Sequence, residues 1–238
     1  MIALVTGANR GIGLEVAAGL GRRGFTVLLG ARDEARGRAA AARLQESQLD
    51  VRYAPLDVND DDSVDATARA IDDEFGHLDV LVNNAAIKLE RAPSPPSECS
   101  LATVRETFET NVFGVIRVIL ATLPLLRRAP EPRIVNVSSG LGSLTLATTA
   151  GTKYQEKPLL SYNVSKSALN AVTVQFANEL LGTACTVNAV DPGYTNTDMT
   201  GSGSRTPQTA AAVVIDLATL PTGGPTGCFF DERGPLPW

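Results

Sequence analysis

The chain is nearly bare of the side chains that most often carry hydrolytic and metal chemistry. Its 238 residues include one histidine, His77, and three cysteines, Cys99, Cys185 and Cys228, set far apart. A single histidine cannot build a histidine-based triad or a histidine metal cage, and His77, just after Gly76 at the end of a helical pattern, reads as a solvated residue. Cysteines so few and scattered offer neither a disulfide framework nor a metal knuckle, and they suit a reducing compartment; no metal site is expected. Positive charge is not in excess. Lys and Arg total 21 against 26 Asp and Glu, a net of −5, which disfavours nucleic acid or an anionic membrane as a partner. No uninterrupted apolar run approaches the roughly 20 residues of a membrane span. The stretch from Val112 to Leu126 is broken by Arg117 and Pro124. The start, MIALVTG, lacks the basic opening and apolar core of a secretion signal, so a cytoplasmic location is the expectation.

What is present is an alternation of short apolar runs with longer helical patterns. The runs are Ile2–Val5, Phe25–Leu29, Val51–Leu56, Leu78–Val82, Arg133–Val137, Thr186–Val190 and a last candidate at Cys228–Phe230. Between them, helical spacing predicts Gly11–Arg23, Glu34–Glu46, Asp60–Phe75, Leu101–Arg128, Ser161–Leu181 and Pro207–Leu220. Asp60, Asp61 and Asp62 load one helix start with the charge that its dipole favours. Fully apolar strands separated by helices imply a parallel sheet of about seven strands, doubly wound, with helices on both faces. No composition shift divides residues 1–238, and single α/β domains commonly reach about 200–250 residues, so one domain is predicted. Two loops stand out. Ile87–Ser100 carries Pro93, Pro95 and Pro96, and residues 140–160 separate a strand from its helix by far more than the usual two to six residues or so.

The first strand runs into Thr6-Gly7-Ala8-Asn9-Arg10-Gly11-Ile12-Gly13 and then a helix. Gly7 permits a sharp turn, Gly11 removes a Cβ where backbone must approach a phosphate, and Gly13 lets the helix pack near the strand. The helix N-terminus then offers N–H groups to a diphosphate, as in dinucleotide-binding sites. The second strand bears on which dinucleotide is bound. It closes as Leu28-Leu29-Gly30-Ala31-Arg32-Asp33, with Arg32 where the adenosine ribose edge should lie and Arg10 projecting from the glycine loop. A guanidinium pair suits the 2′-phosphate of NADP(H). The alternatives give the ribose to Asp33, or leave Arg32 in solvent beside Asp33 and Glu34.

These segments, together with Asn84-Ala85-Ala86 after the fourth strand, Ser139, Tyr162-Asn163-Val164-Ser165-Lys166 and Pro192-Gly193, resemble the short-chain dehydrogenase/reductase family along essentially the whole chain. The Asn9-Arg10 pair and Ala31-Arg32-Asp33 are most similar to its carbonyl-reductase branch, which implies a Rossmann-type fold and NADP(H). The resemblance implies adenine contacts from Asp57 and Val58, a cofactor-lining role for Asn84, Ala85 and Ala86, and nicotinamide and diphosphate contacts from Pro192, Gly193, Thr195 and Thr197. The family more often has glycine at position 86. It also implies a catalytic set of Asn111, Ser139, Tyr162 and Lys166, with Ser139 rather than Ser138 holding the substrate oxygen. The resemblance further implies that Lys166 binds the nicotinamide ribose and that Asn111 bends its helix and holds a relay water.

Physical chemistry supports part of that set. Tyr162 and Lys166 lie four residues apart, so a helix puts them on one face. A unit charge at 4 Å with an effective dielectric near 20 is worth about 4 kcal/mol, so Lys166, helped by an oxidised nicotinamide, is expected to draw the Tyr162 phenol from about 10 towards neutrality. The expected reaction is hydride transfer between NADPH and a small-molecule aldehyde or ketone, or the corresponding alcohol. The rival readings are an NAD-linked alcohol dehydrogenase and a non-catalytic NADP(H)-binding regulator. The substrate pocket is expected between Ile87–Ser100, Gly140–Leu160 and Tyr194–Thr206, with Ile87, Leu141, Leu144, Tyr194 and Met199 as apolar walls. From Ser139 to Tyr162 is 23 residues, longer than the family's usual interval, as in monomeric carbonyl reductases, which carry a longer insertion here. The sequence therefore leaves monomer and homo-oligomer both open.

Overall fold

A computed structural model of the chain describes residues 1–90 and 95–238. Residues 91–94, part of the proline-bearing loop, including Pro93, lie outside the described residues. The strands are β1 (Ile2–Thr6), β2 (Thr26–Ala31), β3 (Val51–Pro55), β4 (Val80–Asn83), β5 (Arg133–Val137), β6 (Thr186–Val190), β7 (Phe229–Asp231) and β8 (Gly234–Leu236). They form one sheet in the order β3-β2-β1-β4-β5-β6-β7-β8. All neighbours run parallel except the final pair. The sheet thus has eight strands rather than about seven. The extra one is a short edge strand carrying Pro235 opposite Phe230. Proline weakens a strand signal in sequence, yet an edge tolerates its missing N–H.

The helices are α1 (Gly11–Arg22), α2 (Glu34–Gln45), α3 (Asp61–Phe75), α4 (Leu101–Phe108), α5 (Gly114–Leu126), α6 (Leu144–Thr148), α7 (Leu160–Glu179) and α8 (Pro207–Ala218). Alternate residues of the fully apolar strands feed two cores. Ala3 and Val5 of β1 meet α1, α2 and α8 on one face. Ile2 and Leu4 meet α3, α5 and α7 on the other. This two-sided burial is why the strands read as continuous apolar runs.

The predicted helix Leu101–Arg128 is broken. Glu109–Phe113 forms a π turn between α4 and α5, and the wider turn directs Asn111 inward. The joined run Leu101–Leu126 has the length and mean hydropathy, 1.5, of a membrane span, although no uninterrupted apolar stretch of that length occurs. Of that apolar window, 61% is buried inside the protein.

Helix starts divide into two kinds. The side chains of Asp33, Asp60, Ser100, Ser143 and Thr206 cap α2, α3, α4, α6 and α8. Apart from α5, which continues directly from the π turn, the starts of α1 and α7 have no such cap: Arg10 and Leu159 stand there and make no side-chain capping bond. Both helices start beside the sheet's carboxyl edge, where the strand order reverses between β1 and β4 and α/β sheets bind ligands.

Candidate active site

A cleft of about 450 Å³ opens along that edge. At one end is the glycine loop. Gly7 adopts a φ of +62°, which L side chains rarely adopt, and this turns the chain from β1 towards α1. The loop is held from β4: Asn84 Nδ2 donates to the carbonyls of Thr6 (2.9 Å) and Gly7 (3.1 Å), and Thr6 Oγ1 accepts from the N–H groups of Asn84 (3.0 Å) and Ala85 (2.9 Å). Asn9, Arg10, Gly11, Ile12 and Gly13 line the cleft with Arg32, Asp57, Val58, Asn84, Ala85 and Ala86. Arg10 Nη1 pairs with Asp198 at 2.5 Å, and both side chains are exposed. Asp33 is turned away from the ribose position: its Oδ1 accepts from Arg36 N at 2.9 Å as the cap of α2. Arg36, missed in the sequence reading, lines a shallow groove with Asn9, Arg10 and Arg43 beside the cleft. Its signal was available in the sequence, three residues after Asp33 on the first turn of a helix that faces the loop.

At the other end, Ser138, Ser139, Tyr162, Lys166, Asp191, Pro192, Gly193, Thr195 and Thr197 line the wall. Ser138 is committed elsewhere, since its Oγ donates to Asn170 Oδ1 at 2.6 Å. Ser139 caps a 3₁₀ turn, Gly140–Gly142, through Leu141 N (3.2 Å). Lys166 is 2% exposed. Its Nζ donates to Val137 O at 2.8 Å and lies 5.8 Å from the centre of the Tyr162 ring.

The electrostatics correct one expectation. Burial, and after it the carboxylate of Asp191, push the Tyr162 phenol above its ordinary value, while Ser139 opposes the rise. Lys166 is not among the causes. The spacing-based arithmetic assumed an ammonium facing the phenol, whereas this ammonium is turned to a backbone carbonyl, and burial lowers its own pKa to about 8. Asp191 is the second residue missed. It is buried, accepts from Gly193 N at 2.9 Å, and burial raises its own carboxyl. Its signal was an acid ending an apolar strand immediately before Pro192-Gly193.

Asn111 does not line the cleft. It is fully buried, and its Oδ1 accepts from Ile87 N (2.8 Å) while Nδ2 donates to Ile87 O (2.9 Å) and Ser165 Oγ (3.0 Å). It therefore holds the segment after β4 against α7 and makes no direct hydrogen bond to Lys166. Of the expected apolar walls, Ile87 and Met199 line the cleft, while Leu144 and Tyr194 are exposed outside it and Leu141 is half-buried beyond its wall. His77 is part-exposed, with Nε2 3.3 Å from Asp79.

Comparison with known proteins agrees with this layout. The sequence pattern of the short chain dehydrogenase family matches residues 1–208. The chain is 34% identical over 276 residues to carbonyl reductase (NADPH) 1 of Bos taurus, covering 100% of this chain and 98% of that protein. It is also 34% identical over 300 residues to (−)-isopiperitenone reductase of Mentha piperita, covering 96% and 95%. The NADPH-bound carbonyl reductase from chicken fatty liver superposes with a TM-score of 0.86 at 28% identity, over 99% of this chain and 98% of that one. Salutaridine reductase from Papaver somniferum superposes with a TM-score of 0.84 at 28% identity, over 97% and 99%. By family pattern, full-length relatives and fold, the chain belongs to the short-chain dehydrogenase family of oxidoreductases.

Proposed function

We propose that this protein is an NADP(H)-dependent reductase that moves hydride between NADPH and an aldehyde or ketone. One observation carries the reading. A single cleft joins an uncapped helix start and two arginines at one end to a tyrosine, a serine and a buried lysine at the other. The residues fit the cofactor. The first turn of α1 has no side-chain cap from Arg10, leaving its N–H groups to a diphosphate. Arg10 and Arg32 suit a 2′-phosphate, and Asp33, the acid that a free ribose diol would need, is occupied by α2. Carbonyl reductase relatives that carry NADPH in their names support the same choice.

NADPH, when bound, supplies the hydride. Ser139, with its hydroxyl free of Asn170, holds the substrate oxygen. Tyr162 gives its phenolic proton to that oxygen as negative charge develops there. A phenol held above about 10 carries its proton throughout the neutral range, which favours reduction over alcohol oxidation. Lys166 presents its ammonium beside the ring and suits the nicotinamide ribose hydroxyls.

Three measurements test this. Loss of NADPH absorbance is followed over a carbonyl panel that includes 4-nitrobenzaldehyde, an electron-poor acceptor. Tyr162→Phe should lower kcat by about 100-fold or more, the scale of a lost general acid, while NADPH binding followed by fluorescence persists. Retained turnover overturns the proton-donor role. Arg32→Ala combined with Arg10→Ala should lower kcat/KM for NADPH by roughly 10- to 100-fold, the loss of one or two charge-assisted bonds, and should leave NADH nearly unchanged. An equal loss for both cofactors contradicts the phosphate assignment. Finally, reductive kcat/KM should fall as pH rises through about 8, where Lys166 loses its proton. The charged form is the active one, so the limb is alkaline, and a level profile to about pH 10 removes that charge from the mechanism.

A further inference from the structure

The start of α7 poses a question that the reaction does not answer. Tyr162 is the third residue of this helix, and the first-turn N–H groups need acceptors that Leu159 does not provide. The acceptor comes from 72 residues away: Oε2 of Glu90, on the segment following β4, takes the N–H of Tyr162 at 3.0 Å. The same oxygen takes Ser161 Oγ at 2.5 Å, and Thr107 of α4 donates to Ser161 Oγ at 3.2 Å. Glu90 is only 8% exposed, its other oxygen, Oε1, makes no hydrogen bond by geometry among the described residues, and the Cys99 thiol, raised by burial and in part by this carboxyl, is its neighbour. A carboxyl group buried this far from water is positioned by the donors that meet its Oε2, both of them on the first turn of α7. The position suits a negative charge, because the helix N-terminus is positive.

The carbonyl side of the same residue is held as well. Ser165 Oγ donates to Tyr162 O at 2.7 Å and accepts from Asn111 Nδ2 at 3.0 Å. Asn111 in turn grips Ile87. Tyr162 is thus clamped at its N–H by Glu90 and at its C=O through Ser165 and Asn111, and both clamps lead to the segment after β4, whose residues 84–87 line the cleft.

We propose that Glu90 is a positioning residue: it serves as a borrowed N-cap for α7 and sets where the Tyr162 hydroxyl stands over the cleft. The proposal rests on the proton-donor reading of Tyr162. Glu90 itself does not line the cleft. It acts through the backbone of Tyr162, and because it caps one peptide of the helix that carries the ring, its loss displaces the ring without emptying the cofactor site.

The test compares Glu90→Ala, Glu90→Gln and Glu90→Asp with wild type and Tyr162→Phe, using NADPH and 4-nitrobenzaldehyde. The readouts are kcat, NADPH affinity and Tm. A displacement of about 1 Å can cost about 100-fold in rate, so Glu90→Ala should lower kcat by roughly 10- to 100-fold with NADPH affinity within about twofold of wild type. Glu90→Gln keeps an oxygen acceptor and should recover most of that loss. A lowered Tm with kcat per folded molecule unchanged makes Glu90 merely structural and overturns the proposal. So does a Glu90→Gln rate as low as that of Glu90→Ala. If Glu90→Ala does not fold, Glu90→Asp carries the test, since it keeps the charge but withdraws it by one methylene. Its kcat should fall at near-native Tm, and a wild-type kcat overturns the proposal. If Tyr162→Phe turns over normally, the functional reading fails first, whatever the Glu90 variants do.

Discussion

An ammonium group buried away from water must find an oxygen, and that requirement organises this site. Lys166 meets it at the carbonyl of Val137, the last residue of β5. The bond pins α7 against the sheet at one rotational setting, and a residue four positions earlier on the same helix is then committed to the same side. Tyr162 therefore looks into the cleft at the carboxyl edge of β5 and β6, next to Ser139. Burial lowers the lysine to about 8, so the protein holds close to neutrality a charge that water would keep to much higher pH.

The two ends of the cleft use helix starts differently. At α1 no side chain caps the first turn, so its backbone donors are free of one, as the proposed diphosphate contact requires. At α7 the missing cap is replaced from within, by Glu90, so the donors are spent on fixing a side chain in place. Between them, Asn84 ties the glycine turn to the end of β4, and Asn111 ties the next few residues to α7. One short segment after β4 thus links the cofactor end of the cleft to its chemical end.

Local features of this arrangement were legible in the sequence. Apolar strands, helix periods, the glycine loop and the Tyr162–Lys166 spacing depend on neighbours within a few residues, and the chain order of the motifs matches one family. What stayed hidden depends on contacts between distant segments. The β8 strand is disguised by Pro235 and exists only because β7 gives it an edge. The π turn at Glu109–Phe113 carries no periodicity signal of its own. Asp33 stays a competing ribose ligand until its bond to the first turn of α2 is seen. Glu90 sits 72 residues from the N–H group that it receives, and no local pattern marks it as a cap. The direction of the Tyr162 shift depends on where the Lys166 ammonium points and on Asp191 across the sheet edge, neither of which the spacing encodes.

The central claim is geometric: the Tyr162 hydroxyl and the reactive carbon of the nicotinamide face each other across a gap for one carbonyl group. A crystal structure of the NADPH complex tests it directly. The account predicts the ring hydroxyl beside Ser139 and opposite the nicotinamide C4, Lys166 at the adjoining ribose, and the 2′-phosphate between Arg10 and Arg32. A nicotinamide bound elsewhere, with the Tyr162 hydroxyl turned towards bulk solvent, would contradict it.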